Sequence, residues 1–327
     1  MATLARMTQV PQPVVPVCYR HPKRETYVRC TRCERPICPD CMNDASVGHQ
    51  CPECVAEGRR TQRPVRTAFG GTLRGAQGYV TSTLIGLNVL MMLVAAASAR
   101  GGDSLFGGRG FGGLLGGLTP LHVWGSLVPG PTAFVEVVGG ETHLLGVTDG
   151  VAGGEYYRLL TSMFLHYGLL HLLLNMWALW VLGRTLEAVL GPLRFLVLYL
   201  VAGLGGSVSV YLFANPHAPT AGASGAIFGL FAALFVVLKR LKRDTSSVIP
   251  ILVINLAISF VPGISLAAHL GGFVTGGLLA AAFAYAPRNV RNRVQALAAV
   301  GMVLLLLALT VYGSSMLTDV PPVIVQV

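Results

Sequence analysis

The sequence predicts an all-α polytopic membrane protein with a small metal-organised module ahead of its apolar part. Three observations predict it. Only 12% of the 327 residues are charged while 53% are hydrophobic, and the mean hydropathy is +0.63; soluble domains carry about twice that charged fraction. From residue 79 onward apolar runs recur, several of them near the ~20 residues that cross a bilayer. All seven cysteines lie before residue 55, at short regular spacings. The net charge of +10 does not by itself imply nucleic acid. In a membrane protein Lys and Arg collect in cytoplasmic loops, so the balance mostly reports topology.

Residues 1–16 show no periodicity and are expected to be disordered. Residues 17–55 carry Cys18-x2-His21, Cys30-x2-Cys33, Cys38-x2-Cys41 and Cys51-x2-Cys54. Two intervening residues let both donors of a pair reach one metal, and eight ligands suffice for two tetrahedral Zn²⁺ ions. So short a segment cannot bury enough apolar surface to fold alone, so two structural zinc ions are the expected reason for its order. His49 is a ninth candidate that could replace one of the last cysteines. Thiols at this spacing also suit a reducing, cytoplasmic compartment. Binding a cytoplasmic protein partner is the expected role of the module. Arg20, Lys23, Arg24, Arg29, Arg32 and Arg35 leave nucleic acid a subordinate alternative.

Residues 56–78 read as a basic linker with Arg59, Arg60, Arg63, Arg66 and Arg74. Juxtamembrane arginines orient a chain and attract anionic lipid. No cleavable signal peptide is evident, because a long polar region precedes the first apolar run. That first span is predicted at about 79–99, followed by a long loop, 100–156, Gly-rich around Gly107 to Gly117. Six further spans are predicted at about 167–183, 193–213, 222–238, 246–261, 264–285 and 295–313. Basic residues mark alternate joints: Arg184 and Arg194, the run Lys239-Arg240-Leu241-Lys242-Arg243, and Arg288, Arg291 and Arg293. The joints around Asn215-Pro216 and Pro262-Gly263 have none. The positive-inside rule then puts the N-terminus in the cytoplasm and the C-terminus outside, with seven spans and the lipid bilayer as solvent. Gly225-x3-Gly229 and Gly272-x3-Gly276 suit close helix crossings.

Depth picks out the chemistry. Ser224 and His269 each lie early in a span that enters from outside, as do His171 and Asn175 in theirs. Ionisable groups in a membrane default to functional hypotheses. His171 and Asn175, four apart, share a helix face, whereas His166 lies at the entering loop. Peptide hydrolysis needs a nucleophile, a base and donors to an oxyanion. Ser224 and His269 can supply the first two. Asn175, His171 and the Ser224 amide can supply the donors. No carboxylate lies in these half-spans, so a dyad is expected, with its histidine held by packing.

His166-x4-His171-x3-Asn175, Gly222-Ala223-Ser224-Gly225 and Ala268-His269-x2-Gly272-x3-Gly276 together resemble the rhomboid family of intramembrane serine proteases, over about residues 79–286. Tyr157-Arg158 resembles the aromatic–Arg pair ending that family's first long loop. The resemblance implies a rhomboid-like six-helix core, with residues 287–327 adding a seventh C-terminal transmembrane helix and an external tail. It implies a Ser224–His269 dyad, an oxyanion site of His171, Asn175 and the Ser224 amide, and a pocket lined by Gly222. His166 is a supporting residue, and Phe228 stands where bacterial relatives often have Tyr stacked on the histidine. The implied substrates are transmembrane proteins, cut near the outer end of a helix at small residues. The expected location is the cell membrane, the active site opening to the outer face. The alternatives are a catalytically silent relative that binds transmembrane helices, or a transporter. The cysteine segment resembles a B-box-type zinc finger, which implies Cys18, His21, Cys38 and Cys41 on one ion and Cys30, Cys33, Cys51 and Cys54 on the other; the spacing alone leaves the pairing open.

Overall fold

The computed structural model describes residues 15–62, 65–73, 77–98, 117–138, 140–261, 263–317 and 320–326. The N-terminal segment expected to be disordered, Arg63, Arg74, Pro262 and most of the Gly-rich run fall outside the described residues. The chain divides between residues 64 and 65 into two compact units.

In the first unit, isolated bridges join Val17 to Glu25 and Arg29 to Pro36. A two-stranded ribbon follows, β1 (Asn43–Asp44) and β2 (His49–Gln50), and then α1 (Pro52–Thr61). Its buried cluster consists of six cysteines and Ile37. Local chemistry sets α1. Cys51 caps it, its sulfur accepting from the Cys54 N–H, Pro52 occupies the first turn, and Arg59 and Arg60 face the negative end of the dipole. The helix therefore continues past residue 55, where the module was expected to end.

The second unit is a helical bundle. Its elements are α2 (Tyr79–Ser98), α3 (Pro120–Gly125), β3 (Thr132–Val138), β4 (Glu141–Thr148), α4 (Arg158–Thr161), α5 (Leu169–Leu190), α6 (Pro192–Phe213), α7 (Ser224–Arg240), α8 (Val248–Ile258), α9 (Leu266–Tyr285), α10 (Arg291–Met316) and β5 (Val323–Gln326). Among the described residues five helices, α2, α5, α6, α9 and α10, are long and apolar enough to cross a membrane. The 17 residues of α7 fall just short. The expected span at 246–261 shrinks to α8, whose 11 residues rise about 16 Å, roughly half a bilayer core.

Glycine brings the central helices into backbone contact. A Cβ on Gly272 would lie 1.9 Å from the Gly225 carbonyl oxygen, and one on Gly276 would lie 2.4 Å from the Gly229 Cα. Helices α7 and α9 thus touch along the two small-residue pairs the sequence pointed to, as helix association in lipid favours. Between α5 and α6 the chain turns on Gly191 alone, at φ +85°, with Pro192 opening the next helix.

Polar contacts fix the ends. At one end, Arg194 of α6 donates to Gln295 Oε1 at 2.7 Å and Asn292 Oδ1 at 2.8 Å of α10. Gln295 in turn donates to the Phe283 carbonyl of α9, and Arg240 of α7 to the Ala284 carbonyl. The buried Glu187 accepts from the Val80 and Thr81 N–H groups and the Thr81 hydroxyl, capping the start of α2. At the opposite end, Tyr211 bonds Ser314 at 2.9 Å.

The loop expected at 100–156 holds more structure than the sequence reading gave it. β3 and β4 form an antiparallel hairpin turning at Gly140, with a bulge at Phe134/Val135, and β5 from the tail pairs parallel to β3. Phe134 is fully buried with Val128 beneath the hairpin. Arg158, also buried, pairs with Glu155 and donates to the Val123 and Ser126 carbonyls at 2.9 Å, tying this region to α4.

Candidate active site

Ser224 is the first residue of α7 and is half-buried. His269 is the fourth residue of α9 and is buried. The crossing of these helices brings Ser224 Oγ to 2.9 Å from His269 Nε2. Phe228, one turn after the serine, stacks on the imidazole with ring centroids 4.0 Å apart and planes 11° apart. One face of the imidazole is thereby covered by the phenyl ring.

The loop before Ser224 is held from several sides. Thr220 pairs with Leu127, and the Gly222 N–H donates to the Ser162 carbonyl at 2.9 Å. Gly222 takes φ +137°, a conformation costly to any residue with a Cβ. The space matters as well, since a Cβ there would sit 2.9 Å from His171 Cε1 and Nε2. His171 therefore lies directly against the loop that carries the serine. Asn175, one turn further along α5, is buried, with Nδ2 donating to the His171 carbonyl at 3.0 Å. His166 is buried too. Its ring sits edge-on to His171 at 5.0 Å, and its Nε2 faces the Ala223 N–H at 3.5 Å.

Two further side chains complete these contacts, and the sequence reading singled out neither. Ser259, just past the end of α8, places Oγ 2.6 Å from His269 Nδ1. His122 of α3 accepts from the Thr119 N–H at Nδ1, so its Nε2 is the donor to the His166 carbonyl at 3.0 Å. The only available signal was Thr119-Pro120-x-His122, a helix start inside a stretch read as unstructured. For Ser259 it was a lone hydroxyl at the end of an otherwise apolar segment.

In the first unit the eight metal-ligand candidates fall into two sets, each with its donor atoms within 4.8 Å of one another: Cys18, His21, Cys38 and Cys41, and Cys30, Cys33, Cys51 and Cys54. These are the sets the B-box resemblance implies. His21 presents Nδ1, at 3.2 Å from Cys38 Sγ and 3.4 Å from Cys41 Sγ, while Cys33 and Cys51 sulfurs are 3.7 Å apart. Tetrahedral ligands at ordinary zinc bond lengths stand roughly 3.5–3.8 Å apart, so the sulfur pair matches such an ion and the two His21 contacts fall a few tenths of an ångström short of it. His49 belongs to neither set and lies 3.3 Å from Asp44 Oδ1. Burial alone would raise the Cys18 thiol, but N–H donors from Cys38, Arg20 and His21 bring it to about 6. Burial pushes Cys41 up to about 11 and Cys54 to about 12.

A polytopic helical membrane protein with a serine–histidine contact at the head of one helix is a narrow class, and comparison with known proteins narrows it to one family. Residues 153–287 match the rhomboid domain model. The chain is 38% identical over 192 residues to the rhomboid protease GluP of Bacillus subtilis, covering 55% of this chain and 37% of that protein. It is 39% identical over 140 residues to YdcA of the same bacterium, a rhomboid by its name, covering 41% of this chain and 70% of YdcA. It is 35% identical over 158 residues to RHOMBOID-like protein 4 of Arabidopsis thaliana, covering 46% and 39%. The chain belongs to the rhomboid family. It spans less than two fifths of the length of GluP and about that share of RHOMBOID-like protein 4.

Proposed function

We propose that this chain is an intramembrane serine protease that cleaves other transmembrane proteins. The observation that carries the reading is the 2.9 Å contact between Ser224 Oγ and His269 Nε2 at the N-terminus of α7. His269 Nε2 takes the Ser224 proton as the oxygen attacks a peptide carbonyl, then gives it to the leaving amine. Water, activated in turn by His269, releases the acyl group from Ser224. The developing oxyanion lies over the Ser224 amide, where the unpaired N–H groups and dipole of α7 favour negative charge. His171 and Asn175 line the same side and supply the side-chain donors. Phe228 holds the imidazole plane without a hydroxyl of its own.

Substrate helices enter near their outer ends, at small residues where the helix unwinds and the Gly222 loop leaves room. The basic ends of α5, α6, α7 and α10 face the cytoplasm, which opens the Ser224 end to the outer surface of a cell membrane. Each ligand set of the first unit holds one structural Zn²⁺ in a B-box-type fold, and the folded module offers a surface to a cytoplasmic protein partner. His21, Cys18, Cys38 and Cys41, and the four remaining cysteines, would hold the two ions.

The test is cleavage of a single-span substrate by the full chain in proteoliposomes. Wild type cuts, and Ser224→Ala and His269→Ala do not, while both variants keep the wild-type unfolding temperature. Binding of the substrate helix with no cleavage by the wild type would replace this reading with that of a silent helix-binding relative.

A further inference from the structure

We propose that Ser259 is a positioning residue that fixes the tautomer and orientation of His269, making the pair a three-member chain. This rests on the protease reading above.

The hydroxyl has one hydrogen, and two acceptors lie within its reach. Ser259 Oγ donates to the Asn255 carbonyl, one turn back in α8, at 3.0 Å. The same oxygen lies 2.6 Å from His269 Nδ1. An oxygen whose hydrogen goes to the Asn255 carbonyl accepts from Nδ1–H, the tautomer that a basic Nε2 facing Ser224 requires. A neutral imidazole protonated at Nδ1 has its lone pair at Nε2, and Nε2 is the atom 2.9 Å from Ser224 Oγ. The chain therefore runs from the Asn255 carbonyl through Ser259 and His269 to Ser224 and leaves Nε2 basic. When Nε2 takes the serine proton, Nδ1–H still has an acceptor, polarised by the carbonyl behind it. No carboxylate is required for this, which answers how the histidine is oriented where none is near.

The surroundings of Ser259 support a dedicated role. Between Val248 and Val261 only Val248 and Ser259 are buried among the described residues, while Ile249, Ile251, Val253, Ile254, Ile258, Phe260 and Val261 are exposed. A serine on such a helix satisfies its hydroxyl on the i−4 carbonyl wherever it points. Here it makes that bond and also turns inward to the imidazole.

The experiment measures kcat and KM for a single-span substrate with wild type, Ser259→Ala, Ser259→Val and Ser259→Thr in proteoliposomes, with thermal unfolding of each. Losing one hydrogen bond that acts on the base predicts a fall in kcat of about tenfold for Ser259→Ala and Ser259→Val, with KM and unfolding temperature near wild type. Ser259→Thr, which keeps the hydroxyl, restores most of the rate. Wild-type kcat in Ser259→Ala, or equal losses in Ser259→Ala and Ser259→Thr, would overturn the assignment. Failure of the wild type itself to cleave would instead remove the protease reading on which it stands.

Discussion

Replacing Gly272 with alanine tests how the site is held more sharply than altering the site itself. The added Cβ would lie 1.9 Å from the Gly225 carbonyl oxygen, about 1.5 Å short of the 3.4 Å at which ordinary contact begins. Its nearest obstacle is backbone, so no rotamer change relieves it, and α7 and α9 must separate. Those two helices carry Ser224 and His269, whose contact is 2.9 Å. A separation of even 1 Å breaks that bond, and misplacement on this scale costs about 10²-fold in rate. The accompanying overpacking costs about 1–3 kcal/mol in stability. The assay is cleavage of a single-span substrate alongside thermal unfolding, with Gly301→Ala as control, since nothing lies within 4 Å of a Cβ there. Gly272→Ala should lose most of its activity and remain folded at assay temperature, and Gly301→Ala should match wild type. Full activity in Gly272→Ala would refute the claim that backbone contact between α7 and α9 sets the serine–histidine distance.

Phe228→Tyr should retain activity because the stack on His269 survives, whereas Phe228→Ala should lose about two- to tenfold, the worth of one aromatic pair, read as kcat. Gly222→Ala should abolish cleavage, because the residue is left-handed and its Cβ would strike His171; activity near wild type would deny that the loop geometry matters. Glu187→Ala should lower stability by about 1–3 kcal/mol, measured by thermal unfolding, since it leaves three donors at the start of α2 without a partner. Metal analysis of the purified chain should find two zinc ions, falling to one in Cys30→Ser; a single ion in the wild type would contradict two closed sites.

Much of this was legible in the sequence because lipid imposes strong rules. Hydropathy located the long helices, and small residues such as Gly225 and Gly272 marked where backbones meet. The pairing of Ser224 with His269 was expected from those helices sharing a depth, and the place of Phe228 against the histidine only from the family resemblance. What stayed hidden depends on tertiary partners. The strands at Thr132–Val138 and Glu141–Thr148 hold several β-branched residues and turn at Gly140, but they lie in a segment expected only to be a long loop beside a glycine run. The tail strand Val323–Gln326 acquires its structure only by pairing with β3. Helix α8 was read too long because apolar residues continue past its end, where Ser259 turns inward instead. Ser259 and His122 carry only weak local signals, since each is defined by an atom it meets from a distant segment.

The most direct measurement is mass spectrometry of the intact membrane-embedded chain after exposure to a fluorophosphonate, which reacts only with an activated serine. One adduct is expected, on Ser224, formed rapidly in the wild type and far more slowly in His269→Ala. No adduct in the folded wild type, or equal labelling with and without the histidine, would contradict it.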